Sequence, residues 1–165
     1  MHRTSLSNPS FFFTIVLNGL FGFCTSFSIH AAEITEEQAL SFGTIAVIDN
    51  HQSAQLRILS NGTQVTDPNL IVLEPGQVGR YFLYDFPAST LLNISLSGGS
   101  TASTFTGGGP VNQFSIEPYL DHATYYTNQF GELTLLVPGL LKTSGDGSTY
   151  SDGDYYRYFE IIIDY

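Results

Sequence analysis

Beyond residue 32 the apolar positions of this chain recur at every second residue, in short runs divided by turn-forming residues, which is the period of a half-buried β-strand. Phe42 to Ile48 is apolar and β-branched. Ala54, Leu56 and Ile58 alternate with Gln55 and Arg57 up to the pair Asn61-Gly62, which predicts a strand entering a hairpin. Leu70 to Leu73 closes on Glu74-Pro75-Gly76-Gln77, where proline presets a turn and glycine supplies a positive φ. Val78 to Phe86 is aromatic and strand-like, and Leu92, Ile94 and Leu96 alternate with Asn93, Ser95 and Ser97. Phe114 with Ile116, and Leu133 with Leu135, give two more alternating pieces, the second predicted to break at Pro138-Gly139. Thr35 to Leu40 is the only candidate for a helical turn, with Thr35 as its cap. Ser100 to Pro110 is rich in Ser, Thr and Gly and reads as an exposed loop or a weak edge strand, and Gly145 to Asp154 as a long polar loop.

The C-terminal stretch carries the clearest pattern. Tyr155, Arg157, Phe159, Ile161, Ile163 and Tyr165 fall on one face, and Tyr156, Tyr158, Glu160, Ile162 and Asp164 on the other. The first face is nearly all apolar and predicts a core strand, so Ile161→Asp or Ile163→Asp is expected to abolish folding or assembly by burying an unpaired charge. About eight to ten short strands without helices imply an all-β antiparallel β-sandwich.

The first ten residues are polar and carry Arg3, and a mostly apolar run from Phe11 to Ile29 ends in Ala31-Ala32. That order predicts a secretory signal peptide over 1–32, cleaved after Ala31 or Ala32, and one domain over 33–165. Asn18, Thr25, Ser26 and Ser28 dilute the run and argue against a membrane anchor. Cys24, the only cysteine, leaves with the leader, and Phe23 before it is too large for a lipidation site. The domain must therefore be held by packing and backbone pairing, without a disulfide. Arg57, Arg80, Lys142 and Arg157 then face all fifteen acidic residues, a formal charge of −11. Such a surface repels phosphate backbones and anionic headgroups, so neither nucleic acid nor membrane is an expected partner.

Candidate chemistry is sparse. The carboxylates of Asp146, Asp152 and Asp154 could serve calcium, but the loop lacks the EF-hand glycine, having Ser151 in its place, and ends on Arg157 instead of glutamate. A solvated interstrand loop is the expectation, with no metal and no cofactor. His51 and His122 stand in no metal-ligand spacing and near no nucleophile elbow, and Glu36-Glu37 or Asp152 with Asp154 are ordinary loop carboxylates. No enzyme is expected. Asn61-Gly62-Thr63 and Asn93-Ile94-Ser95 match the glycosylation acceptor pattern. The many tyrosines could form an adhesive surface, although strand packing accounts for most of them.

Three stretches together resemble exported bacterial β-sandwich proteins related to fimbrial subunits, of the common-pilus and spore-coat-U-like kinds. They are Leu40-Ser41-Phe42-Gly43-Thr44-Ile45, the glycine-punctuated Gly131 to Leu141, and Gly153-Asp154-Tyr155-Tyr156 with the alternating strand to Tyr165. The resemblance implies an incomplete immunoglobulin-like, pilin-like fold, completed by a strand from a periplasmic chaperone and then from a neighbouring subunit in a surface fibre. It would place Phe159, Ile161, Ile163 and Tyr165 along the accepting groove, with the Tyr165 carboxylate on basic chaperone residues. Strand donation of this kind gives affinity through backbone hydrogen bonds and selectivity through alternating pockets. The family's usual disulfide is missing, and few residues separate the cleavage site from Phe42. Glu33 to Leu40 can instead pair within its own domain, which would make a complete monomeric sandwich that binds a ligand or partner.

Overall fold

The computed structural model describes residues 31–98, the short strand at 104–105 and residues 113–165. The leader read at 1–32 lies outside them except for its last two residues, as does most of the Ser100 to Pro110 loop. Among the described residues every regular element is a strand. In chain order these are β1 (Glu33–Gln38), β2 (Thr44–Val47), β3 (Gln55–Ile58), β4 (Gln64–Thr66), β5 (Leu70–Glu74), β6 (Gly79–Tyr84) and β7 (Leu91–Ser97). They continue with β8 (Thr104–Phe105), β9 (Phe114–Pro118), β10 (Thr124–Tyr126), β11 (Leu133–Val137), β12 (Gly139–Thr143), β13 (Tyr155–Tyr156) and β14 (Glu160–Asp164). Every pairing between them is antiparallel. The sheet orders are β1-β6-β11, β10-β7-β14, β4-β3-β12-β9, β2-β5 and β13-β8.

Thr35 to Leu40 is a strand and its approach, not a turn of helix. β1 lies along β6 with Glu33 opposite Tyr84 and Glu36 opposite Tyr81, and a bulge falls between Glu36 and Gln38. A helix of this length has too few internal hydrogen bonds to persist, whereas the edge of β6 supplies a ladder for Ile34 and Thr35, which favour extended backbone.

The expected turn at Glu74 to Gln77 is one side of a corner shared with the Phe42-Gly43-Thr44 stretch. Ser41 N–H donates to Gln77 O at 3.0 Å and Gln77 N–H to Ser41 O at 2.7 Å. A Cβ on Gly43, whose φ is +73°, would lie 2.1 Å from Glu74 O, and one on Gly76 would lie 2.2 Å from Ser41 O. Both glycines are therefore required by backbone contact, and the bend they allow separates β1 from β2 and β5 from β6.

Pro138 ends β11, as expected. The chain runs on from β11, beside β6, into β12, between β3 and β9. Proline interrupts the ladder for one residue, having no N–H. A side chain on Gly139 would come within 2.7 Å of Leu40 Cδ2 and 2.9 Å of Phe42 Cζ, so its absence lets both residues pack over the junction. The described residues hold fourteen strand segments.

Two hydrophobic clusters hold the strands together, each shared by different sheets. The first joins Tyr81 and Leu83 of β6 and Leu135 and Val137 of β11 to Leu92 and Ile94 of β7, with Phe86. The second joins Leu56 of β3, Phe114 of β9 and Leu141 of β12 to Leu70 of β5, with Ala54. Each fully buried leucine contributes about 1.5–3 kcal/mol of transfer free energy. The C-terminal alternation is present, but Ile161 and Ile163 are half-buried at the margin of the first cluster and do not form its centre. Their strand has a partner on one side only, β7, among the described residues.

Candidate functional site

A groove of about 1040 Å³ lies above the second cluster. One wall is the continuous stretch 40–51, which contains β2, and the other is the continuous stretch 147–157. Phe114, Ile116 and Leu141 form an apolar floor, supplied by β9 and β12. Sequence reasoning places residues 145–154 in a polar loop, and they are indeed irregular, but the loop is fastened down and forms a wall.

Two buried polar side chains do the fastening. Asn50 follows β2, and its Oδ1 accepts from Gly145 N–H at 2.9 Å. Its Nδ2 lies 2.9 Å from Ser144 Oγ, 3.0 Å from Asp146 Oδ1 and 3.0 Å from Ser148 O. Its carbonyl accepts from Gly147 N–H at 2.7 Å. Gln113 precedes β9, donates to Thr149 O at 2.6 Å, and accepts from the Tyr155 hydroxyl and from Ser151 N–H. The Tyr150 hydroxyl donates to Gln113 O at 2.6 Å, and the rings of Tyr150 and Tyr155 stand 4.4 and 4.8 Å from that of Phe114. Neither Asn50 nor Gln113 is prominent in sequence, because an isolated amide carries no sign of burial. Only the fold reveals that each satisfies several backbone groups that would otherwise be orphaned.

The groove is more acidic than basic. Asp49, Asp152 and Asp154 line it with Arg157 and His51. Hydrogen bonds from the backbone and ring of His51 hold Asp49 below the usual carboxylate range. Arg157 donates through Nε to Gly98 O at 2.8 Å, immediately after β7. Asp146 sits behind the wall. Its Oδ1 accepts from Ser148 Oγ at 2.6 Å, Ser148 N–H at 2.9 Å and Ser144 Oγ at 2.8 Å. Those bonds, led by the Ser148 hydroxyl, lower its pKa to about 2. Asp146 is thus committed to its own turn while Asp152 and Asp154 face the groove, so the three candidate calcium ligands do not converge. Among the described residues no group of three or more His, Cys, Asp or Glu is placed to share a metal ion.

Phe159, Ile161, Ile163 and Tyr165, the residues expected along a partner strand, lie on and beside β14. Ile161 and Ile163 lie opposite Leu96 and Ile94 on β7. The Tyr165 ring meets Phe86 edge-on at 5.0 Å, and Phe159 meets Tyr81 edge-on at 6.1 Å. Of the four only Phe159 reaches the groove, at its end. His51 and His122 are exposed. Asn61 sits in the exposed β3-β4 turn, and Asn93 projects from β7 between Thr124 and Asp164.

No family model, curated protein or solved structure matches this chain.

Proposed function

We propose that this protein is an exported, non-enzymatic binding domain, an immunoglobulin-like β-sandwich complete within one chain, and that the groove beside β2 is its binding site. The observation that carries this reading is the antiparallel pairing of β1 with β6 of the same chain. The segment that a fibre subunit would give to its neighbour is occupied at home. The two shared clusters and the fastened walls of the groove agree with a domain that needs no outside strand to bury its core.

The experiment is to purify residues 33–165 and measure mass in solution and reversible unfolding. A monomer with one cooperative transition at every protein concentration is the expected result. Stability that rises with concentration, or a fold that appears only with an added strand, would overturn the reading.

One observation favours the alternative, a pilin-like subunit of a bacterial surface fibre that assembles by strand donation with the help of a periplasmic chaperone. β1 is exposed along almost its whole length and is held by backbone pairing, the bond from Gln38 Nε2 to Val78 O, and hydroxyl contacts from Tyr81 to Glu36 and from Tyr84 to Glu33. A strand that buries so little has little to lose on leaving. Deleting 33–38 distinguishes the two: a self-contained domain loses stability, whereas a strand donor keeps a folded body that recaptures the missing segment as a free peptide.

A further inference from the structure

We propose that the groove receives an extended, basic segment of another protein, which adds as a further strand to the open edge of β2. The proposal rests on the self-contained reading above and names the partner chemistry of its groove.

The direction of the β2 backbone is the first argument. Ile48 N–H donates to Asn69 O at 2.9 Å, toward the β5 side. Backbone groups alternate sides along a strand, so the N–H and C=O of Val47 point away from β5. Among the described residues β2 pairs with β5 alone, and its residues 44–47 line the groove. An edge exposed in this way is a template for one more strand. The floor supplies the second argument. An extended segment lying along β2 would direct every second side chain onto Phe114, Ile116 and Leu141, and the intervening ones outward.

Charge selects the segment. Three carboxylates line the groove against one guanidinium, on a chain of formal charge −10. Lysine or arginine beside the apolar anchors would be attracted, and a second copy of this acidic chain would be repelled. A neutral oligosaccharide fits less well. The hydroxyls of Tyr150 and Tyr155 are already bonded to Gln113, and both rings pack on Phe114.

The test uses the leaderless chain once it has been shown to be monomeric, so failure of the self-contained reading is detected first. Selection from a displayed library of random peptides is expected to enrich alternating apolar sequences flanked by Lys or Arg. A synthetic peptide of the enriched sequence should protect the Val47 amide from exchange and lose about tenfold or more in affinity when alternate backbone amides are N-methylated. Asp49→Asn with Asp152→Asn should weaken binding several-fold and flatten its salt dependence. No enrichment, full affinity of the N-methylated peptide, or protection at another strand instead of Val47 would each overturn the proposal. So would binding of a maltooligosaccharide probe in the groove with no peptide binding.

Discussion

The hydroxyl of Tyr81 on β6 donates to the Glu36 carboxylate on β1 at 3.2 Å, across the position where those two residues face each other in the ladder. The same ring is buried and meets Phe159 edge-on. One side chain therefore ties the N-terminal strand to the residue that leads into the C-terminal one.

Burial, then the charge of Glu36, then the hydrogen bond to it push the Tyr81 hydroxyl up to about 12. An unfolded tyrosine releases its proton near about pH 10. The contribution of the proton is thus complete below about pH 10 and is lost as pH rises toward about 12. Tyr81→Phe is expected to cost about 0.5–1.5 kcal/mol at neutral pH and to reduce the alkaline fall in stability. Denaturant midpoints measured across that range check it, and an unchanged alkaline slope would count against the assignment.

Gly131 has a φ of +76°, and a Cβ there would lie 1.9 Å from Phe86 O. Gly62 has a similar φ of +80° but open space around it. Gly62→Ala should cost about 1–2 kcal/mol, the backbone term alone. Gly131→Ala should cost clearly more, because the 85–90 and 127–132 loops must separate. Equal losses in thermal unfolding would contradict this contrast.

Asn50→Ala is expected to cost about 1–3 kcal/mol, since the buried Asn50 amide and its several bonds to the 144–148 turn are lost together. Amide exchange should accelerate at Gly145 while Leu56 in the core stays protected. A uniform change at both sites would mean that Asn50 supports the whole domain and not the groove wall.

The same turn should respond to acid. Asp146 keeps its charge down to about pH 2 in the folded chain, whereas an unfolded aspartate protonates near about pH 4. Its stabilising effect is present above about pH 4 and is lost as pH falls toward about 2. Ring signals of Tyr150 followed by NMR should shift over that interval, and Asp146→Asn should abolish the shift.

Leu92→Ala, at a fully buried site on β7, is expected to cost about 2–5 kcal/mol. Ile161→Ala should cost less. Ile161→Asp and Ile163→Asp, read from sequence as fatal, should leave a folded chain, because both positions are only half-buried and a carboxylate there can reach water. Failure of both aspartate variants to fold would restore the sequence-based expectation.

Alternation along single strands was legible: Leu56 with Ile58, and Leu92 with Ile94, are buried as their spacing predicts. The Asn61-Gly62 turn joins β3 to β4, which pair as a hairpin. Spacing along one strand could not say how many neighbours that strand would have. Tyr155 to Tyr165 therefore read as a core strand, although residues 157–159 interrupt it and Tyr158 is 84% exposed. Thr35 to Leu40 misread as a turn because its partner, β6, begins some forty residues on. The groove was illegible for the same reason, since Asn50 of one wall, 40–51, bonds to Gly147 and Ser148 of the other, 147–157, far along the chain.

The ribbon formed by β11, Pro138 and β12 has a consequence for how the molecule comes apart. Two separate hydrophobic clusters would ordinarily allow two subglobal openings of different free energy. Here residues 133–143 run through both, laddered to β6 before the proline and to β3 and β9 after it. Withdrawing that ribbon from one cluster loosens its hold on the other. Heat, denaturant or a pulling force should therefore meet a single barrier, with no stable half-open form between the native chain and the unfolded one.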